Sequence, residues 1–289
     1  MNLRQLRSLA TILDTGSFAA AGDRTGLSHA AISVQMQQLE ATLGVDLFDR
    51  TNRPARLTTT GVRIAHLAEE VLARVDNIYQ EASGAAITGS VSIGFIPTSV
   101  HNLLPRVLEA LRQQFPELQV SVKSELSGEL ATAVVRRELD YALVTTPLVE
   151  IPELEITAIA SEPFYVIGPA SIEVDSDTEL LRSMPYIAFS KRTWVGQHIA
   201  AKLQQRGIHV TESIEIDSLE AIESLVADGF GVSIVPQRLH TGFQSNKLLQ
   251  IPFCNPIDTR QLTLIQHKSR PNSRFDAAIK SIFLDLPKG

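Results

Sequence analysis

Residues 1–61 are punctuated at short intervals by helix stops and helix starts, a spacing that leaves room only for a small head of three short helices. Leu3, Leu6, Leu9, Ile12 and Leu13 recur at three- and four-residue steps, so the first helix has one face to bury. Gly16 ends it. Ser17 is placed to cap a second helix through Ala19, Ala20 and Ala21, small residues that let another helix approach closely, and Thr25-Gly26 supplies the next turn. Ser28 then caps a third helix, which Gly44 stops. Ile32, Met36, Leu39 and Leu43 form its inner face, while His29, Ala30, Ser33, Val34 and Gln37 point elsewhere. A helix whose first turns carry small and polar side chains can enter the major groove of DNA, about 12 Å wide, without clashing.

After Gly44 the segment VDLFDRTNRPARLTTTG reads as two short strands joined by a turn at Thr51 to Pro54, with Arg50, Arg53 and Arg56 projecting from it. Guanidinium groups on such a hairpin suit phosphate contacts, which position a protein on DNA without reading bases. The head is therefore expected to be a winged helix-turn-helix. Its pattern of Ser17-Phe18, Ala20-Ala21, Leu27-Ser28, Leu39-Glu40, Leu43-Gly44, Leu47-Phe48, Arg50, Leu57-Thr58 and Gly61 resembles the N-terminal signature of LysR-type transcriptional regulators. The resemblance implies DNA contacts at Ser28, His29, Ser33, Arg50 and Arg53, with Val34, Gln37 and Arg56 beside them. The chain departs from many members in having His29-Ala30 where they have Gln-Pro, and Val34 where they have a basic residue. Base specificity is left open by those departures, and Ser28 is a helix cap whether or not it also meets DNA.

The head is only weakly basic. Residues 1–65 hold seven Arg and five acidic side chains, and the remaining residues hold 19 basic against 27 acidic ones. Phosphate neutralisation by one head is therefore modest, which favours binding with two or more heads at once. The means of joining them follows Thr58: Val62, Ala65, Ala68, Val71, Leu72, Val75, Ile78, Tyr79 and Ala82 mark one stripe of a helix of about 25 residues. That helix is too long to bury its stripe on a small head alone, so it is expected to pair with a second copy of itself, as the linker helix of the family does. The alternative is packing on the chain's own C-terminal domain. A hinge is expected at Ala82-Ser83-Gly84-Ala85.

The periodicity then changes. Ser90 to Ile96, Leu118 to Ser124 and Tyr141 to Thr145 read as strands, with helices at Leu103 to Phe115 and Ser127 to Glu138 between them, the alternation of a parallel α/β sheet. A second α/β unit has strands at Pro163 to Ile167, Tyr186 to Phe189, Ile214 to Ile216 and Gly231 to Val235, and helices at Val195 to Arg206 and Ser218 to Asp228. Leu262 to Gln266 returns to the first lobe before a last helix at Ser273 to Leu284. The fold class expected is α/β: a winged helix-turn-helix at 1–58, a linker helix at 59–85 and a two-lobed effector domain at 90–289. Lobe I takes about 90–160 and 262–289, and lobe II about 161–261. By resemblance the effector domain is similar to type II periplasmic binding proteins, with an effector between the lobes near Pro97, Thr98, Ser99, Ser127, Thr145, Ser190, Trp194 and Phe230. Ligands of open α/β sheets lie beyond the C-terminal strand ends, where helix N-termini and hydroxyls suit a small organic anion. Thr98 and Ser99 could equally be helix caps, Trp194 could simply pack between lobes, and Lys191 and Arg192 either face the ligand or are solvated.

Other classes find little support. Ser99, His101 and Asp140 could be arranged as a hydrolytic triad, but there is no G-x-S-x-G elbow, no phosphate-binding G-x-x-x-x-G-K-[ST] loop, no HExxH and no Cys/His cluster. No catalytic residue, cofactor or metal is therefore expected. Cys254 is the only cysteine, so no intrachain disulfide is possible, and it reads as an apolar filler. No apolar run approaches the roughly 18 residues of a membrane span. Arg4, Arg7 and Asp14 break up any signal-peptide pattern, so an exported solute-binding protein is disfavoured and a cytoplasmic one expected. The expected partners are double-stranded DNA, a small effector and a second copy of the chain. The resemblance adds a homotetramer and RNA polymerase.

Overall fold

A computed structural model describes residues 1–51, 54–83, 89–239, 247–270 and 273–286. The chain forms two compact units, Met1–Ala86 and Ile87–Gly289. Arg53 and the Gly84-Ala85 part of the expected hinge lie outside the described residues, as do the side chains of Tyr79 and Ala82.

The first unit contains α1 (Leu3–Thr15), α2 (Phe18–Thr25), α3 (His29–Leu43), β1 (Phe48–Asp49), β2 (Arg56–Leu57) and α4 (Thr59–Ser83). Each early helix starts on a side-chain cap. Asn2 and Gln5 form a reciprocal capping box on α1, at 3.0 and 2.9 Å, while the Ser17 and Ser28 hydroxyls accept from Ala20 N and Ala31 N, both at 3.2 Å. Gly44 closes α3 at φ 70°, a left-handed conformation that a side chain would strain. Leu6, Leu9, Ile12, Ala21, Ile32, Met36, Leu39, Leu47 and Phe48 make the head's core, joined by Ala65 and Ala68 of α4. The antiparallel β1–β2 pair forms the wing.

The second unit contains β3 (Gly89–Phe95), α5 (Pro97–Val100), α6 (Leu104–Gln114), β4 (Leu118–Ser124), α7 (Ser127–Val135), β5 (Tyr141–Thr145) and β6 (Leu154–Pro169). It continues through α8 (Asp177–Ser183), β7 (Tyr186–Phe189), α9 (Trp194–Gln205), β8 (Glu212–Ile216), α10 (Leu219–Ala227), β9 (Ser233–Pro236), β10 (Leu248–Pro252), β11 (Thr259–His267) and α11 (Arg274–Asp285). The main sheet runs β10-β6-β11-β5-β3-β4, with β9 also on β6. Parallel pairing, as expected from the alternation, joins β3 to β4 and β5, and β7 to β8.

The rest of the sheet corrects that expectation. β6 and β11 pair antiparallel over Pro163 to Leu154, and β5, β9 and β10 add antiparallel neighbours, so the sheet is mixed. The expected strands at Pro163 to Ile167 and Leu262 to Gln266 are the C-terminal parts of longer ones. The earlier half of β6 alternates instead, its Leu154 and Ile159 buried in one core and its Phe164, Val166 and Ile167 in the other. One core gathers Val91, Phe95, Leu143, Leu264 and Phe283, the other Phe164, Ile187, Ile199, Ile222 and Phe253. α8 and β10 carry no clear sequence signal, each being shorter than two helical turns or six strand residues.

Candidate functional site

Two surfaces gather the candidate residues. On the head, Ser28, His29, Val34 and Gln37 are exposed and Ser33 is half-buried, so the face of α3 opposite Ile32 and Met36 is free to meet a partner. The ring of His29 lies 5.8 Å from that of Phe18, which in turn meets Phe48 at a tilt, so an aromatic body lies beneath the start of α3. Arg56 is exposed on β2. Arg50 is not the free cation that the hairpin suggested: its Nη2 donates to Glu40 Oε2 at 2.6 Å. The other oxygen of Glu40 accepts from Leu47 N at 2.9 Å and Phe48 N at 3.1 Å. Glu40 therefore fastens the wing to α3, a role hidden in a sequence where it reads as a solvated helix charge.

In the second unit a small cavity opens between the two cores. Of the expected ligand residues, Pro97, Thr98, Ser127 and Thr145 line it, together with Ile96, Leu126, Phe189, Thr193, Val195, Asp217 and Arg260. The others are displaced. Ser99 is buried beneath, its hydroxyl donating to Ile96 O at 2.8 Å. Ser190 donates to Glu215 at 2.7 Å, so its hydroxyl serves the turn after β7. Trp194 packs against the lobe I core although it starts a lobe II helix, and its neighbours Thr193 and Val195 take the cavity wall. Phe230 lies 59% exposed on the turn between α10 and β9, away from the cavity. Lys191 is held by Glu212 at 2.7 Å, which raises its pKa, and Arg192 borders a separate groove with Lys123 and Arg136.

Two charged residues that no local pattern points to, Asp217 and Arg260, also line the cavity. Arg260, 2% exposed, faces Glu162 across the β6–β11 ladder, donating Nε to Oε2 at 2.7 Å, with Nη2 2.5 Å from the same oxygen. Its Nη2 also donates to Thr98 Oγ1 at 3.0 Å, and Glu162 Oε1 accepts from Leu239 N at 3.1 Å. Thr98 and Leu239 both lie against the lobe I core, so the buried ion pair is fastened to that side of the cavity. Nothing local in the sequence announces a pair separated by almost a hundred residues. The N-termini of α7 and α9, at Ser127 and Thr193, meet the same cavity from opposite lobes and add partial positive charge.

Elsewhere, burial pushes the Cys254 thiol up despite the nearby Arg206 charge, the opposite of an activated thiolate. Among the described residues no group of three or more His, Cys, Asp or Glu is placed to hold a metal, and no helix is long and apolar enough to cross a membrane.

A winged helix-turn-helix followed by a two-lobed α/β unit with an interlobe cavity defines a transcription regulator with a ligand-binding domain. Residues 3–62 match the model of bacterial regulatory helix-turn-helix proteins of the lysR family, and residues 84–282 match the LysR substrate binding domain. The chain belongs to the LysR family of DNA-binding transcriptional regulators, which places it among regulators and not enzymes. It is 27% identical to the helix-turn-helix regulator YfeR of Shigella flexneri, over 98% of this chain and 94% of that protein. In fold it is similar to a full-length OxyR variant from Pseudomonas aeruginosa, with a TM-score of 0.73 at 24% identity, covering 98% of this chain and 94% of that one. It is likewise similar to full-length CbnR complexed with its target DNA, with a TM-score of 0.57 at 22% identity over 100% and 99% of the two chains.

Proposed function

We propose that the chain binds operator DNA as a cytoplasmic homo-oligomer and changes its grip on DNA when a small organic anion enters the cleft between its lobes. In this reading residues 1–58 are the DNA head, 59–85 the linker helix and 90–289 the effector domain. Ser28, His29, Ser33, Val34 and Gln37 face the major groove, and Arg53 and Arg56 take phosphates, with Arg50 sharing itself between Glu40 and the backbone of DNA. Leu67, Val71 and Ile78 of α4, at 56, 41 and 66% exposure, follow one another at steps of four and seven residues and offer a face to a second copy. The family resemblance extends that dimer to a tetramer and makes RNA polymerase a further partner.

The observation that carries the anion reading is the meeting of Arg260 with the N-termini of α7 and α9 at one cavity. Ligand binding there changes how the lobes close, and in a dimer that motion alters the spacing of paired heads. The test is a gel shift and footprint on the DNA upstream of the protein's own gene, with and without small carboxylates. A footprint whose length and bend are the same with every cleft-binding compound rules the mechanism out, and binding of neutral or cationic compounds only rules out the anion.

A further inference from the structure

The cavity wall holds two buried side-chain atoms without a hydrogen-bond partner in the protein, Arg260 Nη1 and Thr145 Oγ1. Both residues are at least nine-tenths buried, at 2 and 5% exposure. An unmet buried guanidinium donor is destabilising on the order of 1–3 kcal/mol, so a site that keeps one is built for an acceptor that comes and goes. Charge-assisted bonding makes a carboxylate oxygen the best such acceptor.

The same geometry limits what the acceptor can be. Nε and Nη2 of Arg260 are already given to Glu162 and Thr98, so the two-pronged fork that grips a whole carboxylate or phosphate is not on offer. One corner remains, and the Thr145 hydroxyl lines the same cavity and can supply a second bond. Glu162 also cancels the charge of Arg260, and Asp217 puts a further carboxylate on the wall, so the two helix N-termini, worth about half a charge each, are left to offset one negative charge and a second is opposed. Beside the hydroxyls of Thr98, Ser127 and Thr193, the rest of the wall is apolar: Ile96, Pro97, Leu126, Phe189 and Val195. The cavity is little larger than a water molecule, so a ligand beyond a few heavy atoms has to part the lobes.

Resting on the cleft reading above, we propose that the effector is a small monocarboxylate with a compact apolar tail, held through Arg260 Nη1 and Thr145 Oγ1. Dicarboxylates and inorganic phosphate are rejected. Calorimetry on the full chain with propionate, butyrate, propionamide, succinate and phosphate tests this. Propionate or butyrate is expected to bind at millimolar concentration or below, and the other three at least about tenfold more weakly. Thr145→Val, which keeps shape and fold, is expected to weaken the monocarboxylate about tenfold with an unchanged melting temperature. Asp217→Asn is expected to admit succinate. The proposal is overturned if succinate or phosphate binds as well as the monocarboxylates, if Thr145→Val leaves their affinity unchanged, or if no member of the panel binds. A wider library then separates the two readings. A neutral or cationic binder weakened by Phe189→Ala leaves the cleft in place and removes only the monocarboxylate. Binders indifferent to Phe189→Ala remove both.

Discussion

At the residue scale, single side chains hold more of this protein together than their type suggests. The Ser28 hydroxyl satisfies an N–H in the first turn of α3, so Ser28→Ala is expected to lower head stability by about 1 kcal/mol, read as a fall in melting temperature. On DNA, Arg56→Ala is expected to weaken binding to all sequences alike and reduce the salt slope by about one, whereas His29→Ala shifts sequence preference; titrations at several salt concentrations on an operator and on random DNA separate the two. A different residue governs acid stability. Burial alone would raise the pKa of Asp276, but the Arg270 charge and hydrogen bonds from Ser273, Tyr141 and Arg270 hold it below the ordinary carboxylate value. Folding thus favours its ionised form, so the stabilisation is complete above an unfolded pKa of about 4 and is lost as pH falls through the lower folded value. Asp276→Asn is expected to lower the melting temperature near neutrality and to flatten its further loss in acid, which thermal scans across pH measure.

At the element scale, α4 and the start of α9 are the most exacting. The first half of α4 spends Ala65 and Ala68 on the head, and Leu72 packs there too, while Leu67, Val71 and Ile78 stay outside that core. Replacing Leu67 and Ile78 by Lys is expected to shift light-scattering mass toward the monomer with the helical circular dichroism intact. A dimer that survives both changes would place self-association on another element. The turn into α9 is tight: a Cβ at Gly196 would sit 2.1 Å from Ser190 O and 2.6 Å from Phe189 O. Gly196→Ala is therefore expected to destabilise the second unit by about 1–3 kcal/mol and to displace Thr193 and Val195 from the cavity wall, seen as a lower melting temperature and a lost ligand response. The helices of the head were readable because their caps and apolar steps are local. The strands β6 and β11 were half readable, since alternation marks burial in one core and these strands pass between two.

At the scale of the whole second unit, two long antiparallel strands tie the lobes, and the Arg260–Glu162 pair sits on both of them. Removing one partner of a buried pair leaves a charge without compensation, so Glu162→Gln is expected to destabilise the unit by about 3–5 kcal/mol, measured by denaturant unfolding of the full chain. The pair's further bonds, to Thr98 and to the backbone of Leu239, fasten it to the lobe I side of the cleft. A ligand drawing on the remaining corner of Arg260 is expected to act on that pair directly.

The chain's local chemistry determined the winged head, the long amphipathic helix and the alternation that marks an α/β domain, because caps, helical steps and strand runs depend on neighbours a few residues away. It also placed Pro97, Thr98, Ser127 and Thr145 at the cleft, since strand ends in such sheets are where ligands sit. Only the tertiary structure decided that Arg260 and Glu162 meet, that Glu40 holds Arg50 and the wing, and that Ser190 and Phe230 stand away from the cavity. Those outcomes depend on the register of strands distant in sequence and on which hydroxyl a neighbouring carboxylate reaches first, and neither is written in any short run of residues.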